Sequence, residues 1–545
     1  MTLKIFSFFI LIALITMSCG KEKADFIIID AKIYTVNQTF DIAQSFAVKD
    51  GKIIGVGSTK DIEAKFESDS IISMSGRFIY PGFIDAHSHF YGYGAMVFRE
   101  VDLTETQSYE EVIERIKEFA AKNKTQWIEG RGWDQNDWQN KEFPTKEKLD
   151  EAFPEIPVYL TRIDGHAALV NSKALQIAGI DESTKMAGGE VLLKNGKPNG
   201  ILIDNAMSLV VSKIPKFNHQ ENIKALLLAQ ENCFKVGLTG VCDAGLDKDM
   251  ILLIDSMHKA GTLKMPIYAM LNPSDENFDY FVKKGIYKTD YLTVSSIKLY
   301  ADGALGSRGA KLLKPYTDKE NYSGILVAQP EYFDKMAEFA YKYNYQLNTH
   351  CIGDSAVRLI LKTYAKYLKG KNDRRWRIEH AQIVDKEDFV FFGDFSIIPS
   401  IQTTHATSDM YWAEKRLGNE RIKNAYAYKQ LLEQNAWLPN GSDFPIEKIE
   451  PLLGFYAAVS RKDVNLFPEG GFQSENALSR VQAMKAMTIW AAKAAFEENE
   501  KGSLEVGKFA NFVVCDRDLM EMPENEIFKT EILQTFVHGE KVFAK

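Results

Sequence analysis

Cysteine is scarce in this chain. There are five cysteines in 545 residues, and no pair of them has C-x-x-C spacing. Small domains stabilised by disulfides need a dense cysteine framework, so that class is excluded. We expect buried free thiols at Cys233, Cys242, Cys351 and Cys515.

Blocks of basic residues are also missing. The chain has 66 Lys and Arg against 74 Asp and Glu, a formal charge of −8. Binding to nucleic acid depends on clustered positive charge, so we expect no nucleic-acid partner. The 45% hydrophobic and 12% aromatic residues predict a large core. We expect a globular protein of enzyme size, and a homodimer is left open.

The only long hydrophobic run lies at the N-terminus. Lys4 precedes an apolar run that ends at Ser18-Cys19-Gly20 and suits a secretory signal more than a membrane span. The small residue before Cys19 resembles a bacterial lipoprotein cleavage box. We therefore predict a signal peptide over residues 1–19 and an exported protein of the periplasm or cell envelope, lipid-anchored at Cys19. An ordinary export signal is the alternative, and no later run is long enough to cross a membrane.

Short strand-like runs occupy both ends of the remaining chain. Asp50-Gly51 predicts a hairpin within residues 24–80, and His538-Gly539 predicts another within residues 500–545. Chain termini commonly lie close together. We therefore predict one small β-sandwich made from both ends.

Between these ends, short apolar runs alternate with stretches of helical periodicity. Eight such units predict an α/β fold with a (β/α)8 TIM barrel, whose catalytic residues lie at the C-terminal strand ends. A doubly wound sheet is the alternative, but no G-x-G-x-x-G turn opens a unit. The predicted strands are Phe83–His87 (within residues 81–100), Leu238–Asp243, Met265–Leu271, Ser295–Tyr300, Tyr345–His350, Trp376–His380, Phe395–Ile401 and Ala436–Gly441.

One connection is much longer than the others. Residues 101–215 separate the first strand from the rest of the barrel, residues 216–499, and contain strand and helix patterns of their own. A loop of this length is expected to fold. We predict an insertion or lid subdomain.

Histidines end several predicted strands. His87 and His89 are two residues apart, so their side chains project to the same side of a strand. His350 and His380 end the fifth and sixth strands, and Asp443 follows the eighth. Imidazoles with a carboxylate suit a divalent metal such as zinc, which predicts a metal site over the barrel mouth.

Lys298 lies on the fourth predicted strand. An ammonium directed at a dication would be repelled, so Lys298 either points away or is chemically changed, for example by carboxylation. From the residues alone, a solvated or ion-paired lysine is favoured.

Several motifs together resemble the amidohydrolase superfamily, in particular its family-3 (YtcJ-like) branch. The resemblance covers residues 24–545 and includes the long insertion. The matching motifs are Pro81–His89, Lys298 with Asp302-Gly303, Asp443 and Gly502–Lys508.

The resemblance implies a metal-dependent hydrolase with a small-molecule substrate. It would cleave a non-peptide carbon–nitrogen bond in an N-acyl amine, a formamide or a cyclic amide. A metal-activated hydroxide would attack the carbonyl, and Asp443 would accept a proton and return it to the leaving nitrogen. A single ion with unmodified Lys298 is the alternative to two ions. The implied metal ligands are His87 and His89 on one ion, His350 and His380 on a second, carboxylated Lys298 between them, and Asp443.

Other activities are left open on the same scaffold. A polarised carbonyl also acidifies neighbouring C–H bonds, so an isomerase, a lyase or an esterase is the first alternative. A non-catalytic lipoprotein that binds a metal or ligand is the second.

Substrate contacts are expected from the insertion and from the loop after the fourth strand. Arg162, Asp164 and His166 form a charged cluster, and His166 would polarise the substrate carbonyl or hold a lid closed. Trp133 is placed to line the lid, with the core of the insertion as the alternative. Arg308 is expected to bind a substrate carboxylate or to form a surface salt bridge.

Three other histidines lie away from the predicted strand ends. His219, His258 and His538 fall in helix-like or hairpin stretches. We therefore expect them at the surface.

Overall fold

The structure is a computed structural model that describes residues 21–123, 125–163, 165, 167–186 and 189–545, without the side chains of Asn136 and Asp204. The predicted signal peptide, residues 1–19, therefore lies outside the described residues. Within the described part, no helix has the length and apolar character needed to cross a membrane.

Seven parallel strands form the central barrel, and each pairs with the next one along the chain. Nearly all of their residues are buried, because a barrel strand faces the barrel interior on one side and helices on the other. The first seven predicted strands are thereby confirmed. They are β1 (Phe83–Ser88), β2 (Leu238–Leu246), β3 (Ile267–Leu271), β4 (Leu292–Tyr300), β5 (Gln346–Cys351), β6 (Arg377–His380) and β7 (Ile398–Ser400), and the short strand Tyr287–Lys288 pairs with β4.

The eighth position is closed without a continuous strand over the described residues 436–441. Asn440 forms a single parallel bridge with Ile401, and its carbonyl accepts a hydrogen bond from Ala86 N at 3.3 Å. Pro439 has no N–H, so a regular ladder cannot pass through it. The prediction of a strand at Ala436–Gly441 is wrong in this respect, but the segment leaves the barrel nearly closed.

Helices follow the strands and cover the barrel. The helix His219–Lys235 shows how the sequence starts one, because the Asn218 side chain accepts hydrogen bonds from the amides of Gln220 and Glu221 while the Glu221 carboxylate accepts from the Asn218 amide. The other α-helices of this part are Phe90–Arg99, Lys248–Lys259, Asp275–Tyr280, Pro330–Tyr343, Asp354–Leu368, Phe389–Asp394, Thr403–Asp409, Ala413–Arg421, Tyr428–Asn435, Pro451–Ser460, Arg480–Ala486 and Ile489–Ala494.

Two sheets pack into a sandwich, one with strands from both ends of the chain and the other with strands from residues 26–73 alone. Their facing side chains share one apolar core, in which the rings of Phe46 and Phe512 are 5.0 Å apart. The predicted hairpin turns at Asp50-Gly51 and His538-Gly539 are confirmed, and all four residues have positive φ. The strands of one sheet are Glu540–Ala544, Ile532–Val537, Phe512–Cys515, Phe78–Pro81, Lys32–Tyr34 and Ile42–Ala43, and those of the other are Lys52–Gly57, Ser45–Lys49, Phe26–Ile29 and Ile71–Ser73.

The long connection after β1 forms a six-stranded sheet with its own apolar core. The α-helices that the structure describes beside this sheet are Tyr109–Lys122, Glu147–Ala152, Ser172–Ala178 and Met207–Val211. Its strands, in spatial order, are Glu100–Asp102, Ile128–Trp133, Val158–Arg162, Ala167–Val170, Lys197–Asp204 and Gly189–Lys194.

Predictions about isolated side chains are partly confirmed. The four cysteines within the described residues are free and buried, as predicted, and His219 is exposed. His258 and His538 are partly buried, so the prediction of surface positions is wrong for them. Their rings lie 5.5 Å and 4.3 Å from the ring of Tyr291, where the last hairpin packs against the barrel.

Candidate metal centre

Among the described residues, four histidines meet at the C-terminal ends of the barrel strands. His87 lies on β1, His89 directly follows it, and their ring centroids are 5.8 Å apart. The ring of His380, at the end of β6, lies 4.9 Å from that of His87 and 4.5 Å from that of His350 on β5. The structure therefore brings together imidazoles that are almost 300 residues apart in the sequence.

Asp443 joins these histidines from the segment that closes the barrel. Its Oδ1 lies 3.2 Å from His89 Nε2 and 3.5 Å from His87 Nε2. The Asp443 amide donates to the His87 carbonyl at 2.8 Å, which fixes the backbone of this segment against β1. One possible ligand atom from each of these three residues lies within 4.8 Å of the other two.

The buried carboxylate of Asp85 holds the same segment in place. It accepts a hydrogen bond from Ser442 Oγ at 2.6 Å and bonds from the amides of Ser442 and His87 at 3.1 Å. Burial raises the pKa of Asp85 to about 7, although these hydrogen bonds act in the opposite direction. Gly441 is needed beside it, because a Cβ there would lie 2.4 Å from His87 N.

Two of the imidazoles are oriented through Nδ1. His87 Nδ1 lies 2.6 Å from Glu379 Oε2, and His380 Nδ1 lies 2.6 Å from Gln402 Oε1. Each oxygen accepts a hydrogen bond from Nδ1–H, so Nε2 keeps the lone pair that a metal binds. This arrangement is typical behind metal-binding histidines.

Lys298 points into the centre and not toward solvent. It is fully buried, and its Nζ lies 3.0 Å from His87 Nε2. Burial lowers the pKa of Lys298, despite the opposing charges of Glu379 and Asp443. Burial thus shifts Lys298 toward the neutral amine, which carboxylation requires, and the expectation of a solvated lysine is wrong.

The donor set fits a divalent metal ion. Burial lowers the pKa of His87 and brings that of His350 to about 3, which favours the neutral imidazoles. His350 Nε2 is buried and has no hydrogen-bond partner among the described residues. Neutral imidazoles beside a carboxylate are the ligands that zinc prefers.

Of the charged cluster predicted to contact substrate, the structure describes only Arg162. Asp164 and His166 lie outside the described residues. Arg162 is buried, donates to Gln135 Oε1 at 2.9 Å and forms an ion pair with Asp134. A contact between Arg162 and substrate stays a prediction.

Trp133 and Arg308 have protein partners. Trp133 is 1% exposed in the core of the insertion and donates from Nε1 to the Leu160 carbonyl at 2.9 Å. This burial contradicts the prediction that Trp133 lines a substrate-facing lid, because the indole has no free face. Arg308 forms two hydrogen bonds with Asp318, at 3.1 Å and 2.9 Å, as expected for the salt-bridge alternative.

Sequence reasoning missed four residues of the centre: Asp85, Glu379, Gln402 and His405. Glu379 directly precedes His380 on β6, so strand alternation would place the two on opposite faces. His380 has φ of 72°, which turns its side chain toward the same site. His405 lies on the helix Thr403–Asp409, where no strand-end pattern identifies it.

Comparison with known proteins shows the family to which this chain belongs. The model of the amidohydrolase family matches residues 70–543, which is most of the chain. The chain belongs to the amidohydrolase family. The predicted family-3, YtcJ-like membership is thereby confirmed.

Individual relatives agree with this assignment. The chain is 32% identical over 521 residues to the Bacillus subtilis (strain 168) protein named "Putative amidohydrolase YtcJ", covering 94% of this chain and 98% of that protein. It is 26% identical over 542 residues to an N-substituted formamide deformylase of Arthrobacter pascens, covering 95% and 98%. A solved metal-dependent hydrolase from Pyrococcus horikoshii OT3, described as uncharacterized, superimposes with a TM-score of 0.78 at 27% identity over 92% of this chain and 99% of that one.

Proposed function

We propose that this amidohydrolase hydrolyses a carbon–nitrogen bond other than a peptide bond, in an N-acyl amine, a formamide or a cyclic amide. The observation that carries the proposal is the position of Asp443, with one oxygen 3.2 Å from His89 Nε2 and 3.5 Å from His87 Nε2. The relative named N-substituted formamide deformylase supports testing formamides first.

His87, His89 and Asp443 would hold a divalent ion, which we propose to be zinc. When bound, the ion would supply Lewis acidity, which polarises a carbonyl and lowers the pKa of water. Glu379 keeps the His87 proton on Nδ1, and Asp85 holds Asp443 against β1 through Ser442. These contacts fix the ligand atoms before substrate arrives.

Asp443 is also the proposed proton carrier. Its Oδ1 faces His87 and His89, which leaves Oδ2 as the oxygen able to accept a proton from the attacking water. The water oxygen bonds to the carbonyl carbon, and the carbon–nitrogen bond then breaks. Oδ2 returns the proton to the leaving nitrogen, so the products are a carboxylic acid and an amine, which exchange a proton to become a carboxylate and an ammonium ion.

We further propose a second ion, held by His350 and His380 and bridged to the first by carboxylated Lys298. The buried Lys298 Nζ lies beside His87 Nε2, and burial lowers its pKa. A single ion with unmodified Lys298 is the alternative.

Export and lipid anchoring at Cys19 are proposed from the sequence of residues 1–19. Mass spectrometry of the protein recovered from bacterial membranes tests this proposal. A diacylglycerol-modified Cys19 as the first residue supports the anchor, and an unmodified mature N-terminus beyond Cys19 contradicts it.

Hydrolysis is tested with purified protein prepared without chelator. The panel contains N-benzylformamide, N-acetyl amino acids, lactams and p-nitrophenyl acetate, each with and without a chelator and after reconstitution with zinc. We expect formamide or amide hydrolysis that the chelator abolishes and that Asp443→Asn lowers at least about 1,000-fold. Asp334→Asn, which alters an exposed carboxylate paired with Lys366, is the matched control.

The same panel separates the alternatives. Turnover of the ester alone would favour an esterase. No turnover of any compound, with metal bound, would contradict the hydrolase and favour an isomerase, a lyase or a binding protein.

A further inference from the structure

His405 places a further imidazole beside the metal centre. It lies on the helix Thr403–Asp409, which follows β7, and only 8% of it is exposed. Its ring stacks near that of His380, with centroids 5.8 Å apart and planes 20° apart. The helix therefore presents this side chain to the same site as the strand-end histidines.

The Nε2 atom of His405 is buried and has no hydrogen-bond partner among the residues that the structure describes. Leaving a buried polar atom unsatisfied costs free energy, so such atoms commonly have a ligand or water as partner. The nearest acidic group is Asp443, whose Oδ2 lies 3.9 Å away. That separation is too long for a hydrogen bond.

The Asp443 carboxylate has two different sides. Oδ1 faces His87 and His89. Among the described residues, these three are the only set of histidine, cysteine and acidic side chains whose possible metal-ligand atoms all lie within 4.8 Å of one another. His405 lies outside this group and next to Oδ2. It is therefore on the side of Asp443 where water and substrate react in the proposed function.

We propose that His405 is a catalytic residue that donates a hydrogen bond from Nε2 to the carbonyl oxygen of the substrate. The inference rests on the proposed function, because the proton accepted by Asp443 Oδ2 comes from the water that attacks this carbonyl. His405 Nε2 lies 3.9 Å from Asp443 Oδ2, so it is within reach of the carbonyl oxygen on the carbon that the water attacks. His405 neither gains nor loses a proton, and its hydrogen bond strengthens as negative charge develops on that oxygen.

The test compares His405→Ala, His405→Gln and Thr407→Val with the unmodified protein. Thr407 is the matched control, because it is buried on the same helix and its hydroxyl donates only to the Thr404 carbonyl, at 3.0 Å. For N-benzylformamide we expect His405→Ala to lower kcat about 100-fold with little change in KM. His405→Gln keeps an N–H donor and is expected to recover part of this loss, whereas Thr407→Val has normal kcat.

Two readouts do not depend on turnover. Elemental analysis should show the same metal content in all four proteins. Calorimetry with formate, the carboxylate product of a formamide, should show about tenfold weaker binding to His405→Ala.

Three results would overturn the inference. Loss of metal in His405→Ala would make His405 a ligand, and unchanged kcat and formate affinity would make it a packing residue. If the unmodified protein neither hydrolyses N-benzylformamide nor binds formate, the proposed function fails and the role of His405 falls with it.

Discussion

Glu379 and His87 form a fully buried pair, with the carboxylate Oε2 2.6 Å from Nδ1 of the imidazole. The Arg377 guanidinium lies 3.8 Å from the other oxygen of Glu379 and favours its ionised form. Glu379 therefore fixes the His87 tautomer from behind, while Nε2 faces the oxygen of Asp443.

We expect Glu379→Gln to weaken binding of divalent metal about 10- to 100-fold, because the amide does not attract the Nδ1 proton as a carboxylate does. Competition with a chromogenic zinc chelator measures the affinity. Glu387→Gln is the control, since Glu387 is exposed at the surface. An unchanged zinc affinity in a folded Glu379→Gln protein would show that His87 does not depend on this partner.

Replacing Lys298 tests the number of ions. A carboxylated lysine that bridges two ions is required for the second one, so we expect about two ions per chain in the unmodified protein and about one in Lys298→Met. Methionine fills a similar volume and removes a buried amine, so folding should be retained. Elemental analysis gives the count, and equal metal contents in the two proteins would contradict the bridge.

The barrel was largely predictable because its strands are short runs separated by helical stretches, and β1 to β7 lie where those runs are. The eighth predicted strand does not form, because Pro439 cannot donate a ladder hydrogen bond. His258 and His538 were placed wrongly because each contacts Tyr291 from a distant part of the chain. Contacts between residues so far apart in the sequence leave no local pattern.

The metal centre was predictable where strand geometry alone determines it. His87, His89 and His350 follow from the two-residue period and the strand ends. Asp443 has a left-handed backbone, with φ of 62°, so its direction could not be derived from alternation. Glu379 required knowledge of which strands become neighbours across the barrel.

Gly441 is predicted to be sensitive to substitution, because atoms of His87 and Asp85 lie close to it. A Cβ there would meet His87 N at 2.4 Å and Asp85 Oδ1 at 2.7 Å, and backbone atoms cannot move aside easily. We expect Gly441→Ala to lower the free energy of unfolding by about 1–3 kcal/mol and to reduce metal content. Urea unfolding and elemental analysis measure the two effects.

Gly57→Ala provides the comparison for Gly441→Ala, because the nearest atom to a Cβ at Gly57 is 3.9 Å away. This control should unfold close to the unmodified protein and keep its metal. If Gly441→Ala behaves in the same way, the segment around Asp443 is free to shift, and Asp85 does not fix it.

The junction between the sandwich and the barrel should be sensitive to acid. Burial lowers the pKa of His258 to about 4 and that of His538 to about 3, from 6.5 in an unperturbed histidine. The unfolded chain therefore binds more protons than the folded protein once the pH falls below about 6.5. Stability contributed by the neutral imidazoles is present above that pH and is lost as the pH falls toward 4.

Urea unfolding at pH 7.5 and pH 5.0 measures this loss. From the pKa of His258 we expect roughly 2 kcal/mol of destabilisation over this interval from that residue alone. His258→Gln and His538→Gln should each reduce the pH dependence, because glutamine does not titrate, whereas His219→Gln changes an exposed residue and should leave it unaltered. Equal pH dependence in all four proteins would mean that the acid sensitivity originates elsewhere, with the buried histidines of the metal centre as the next groups to replace.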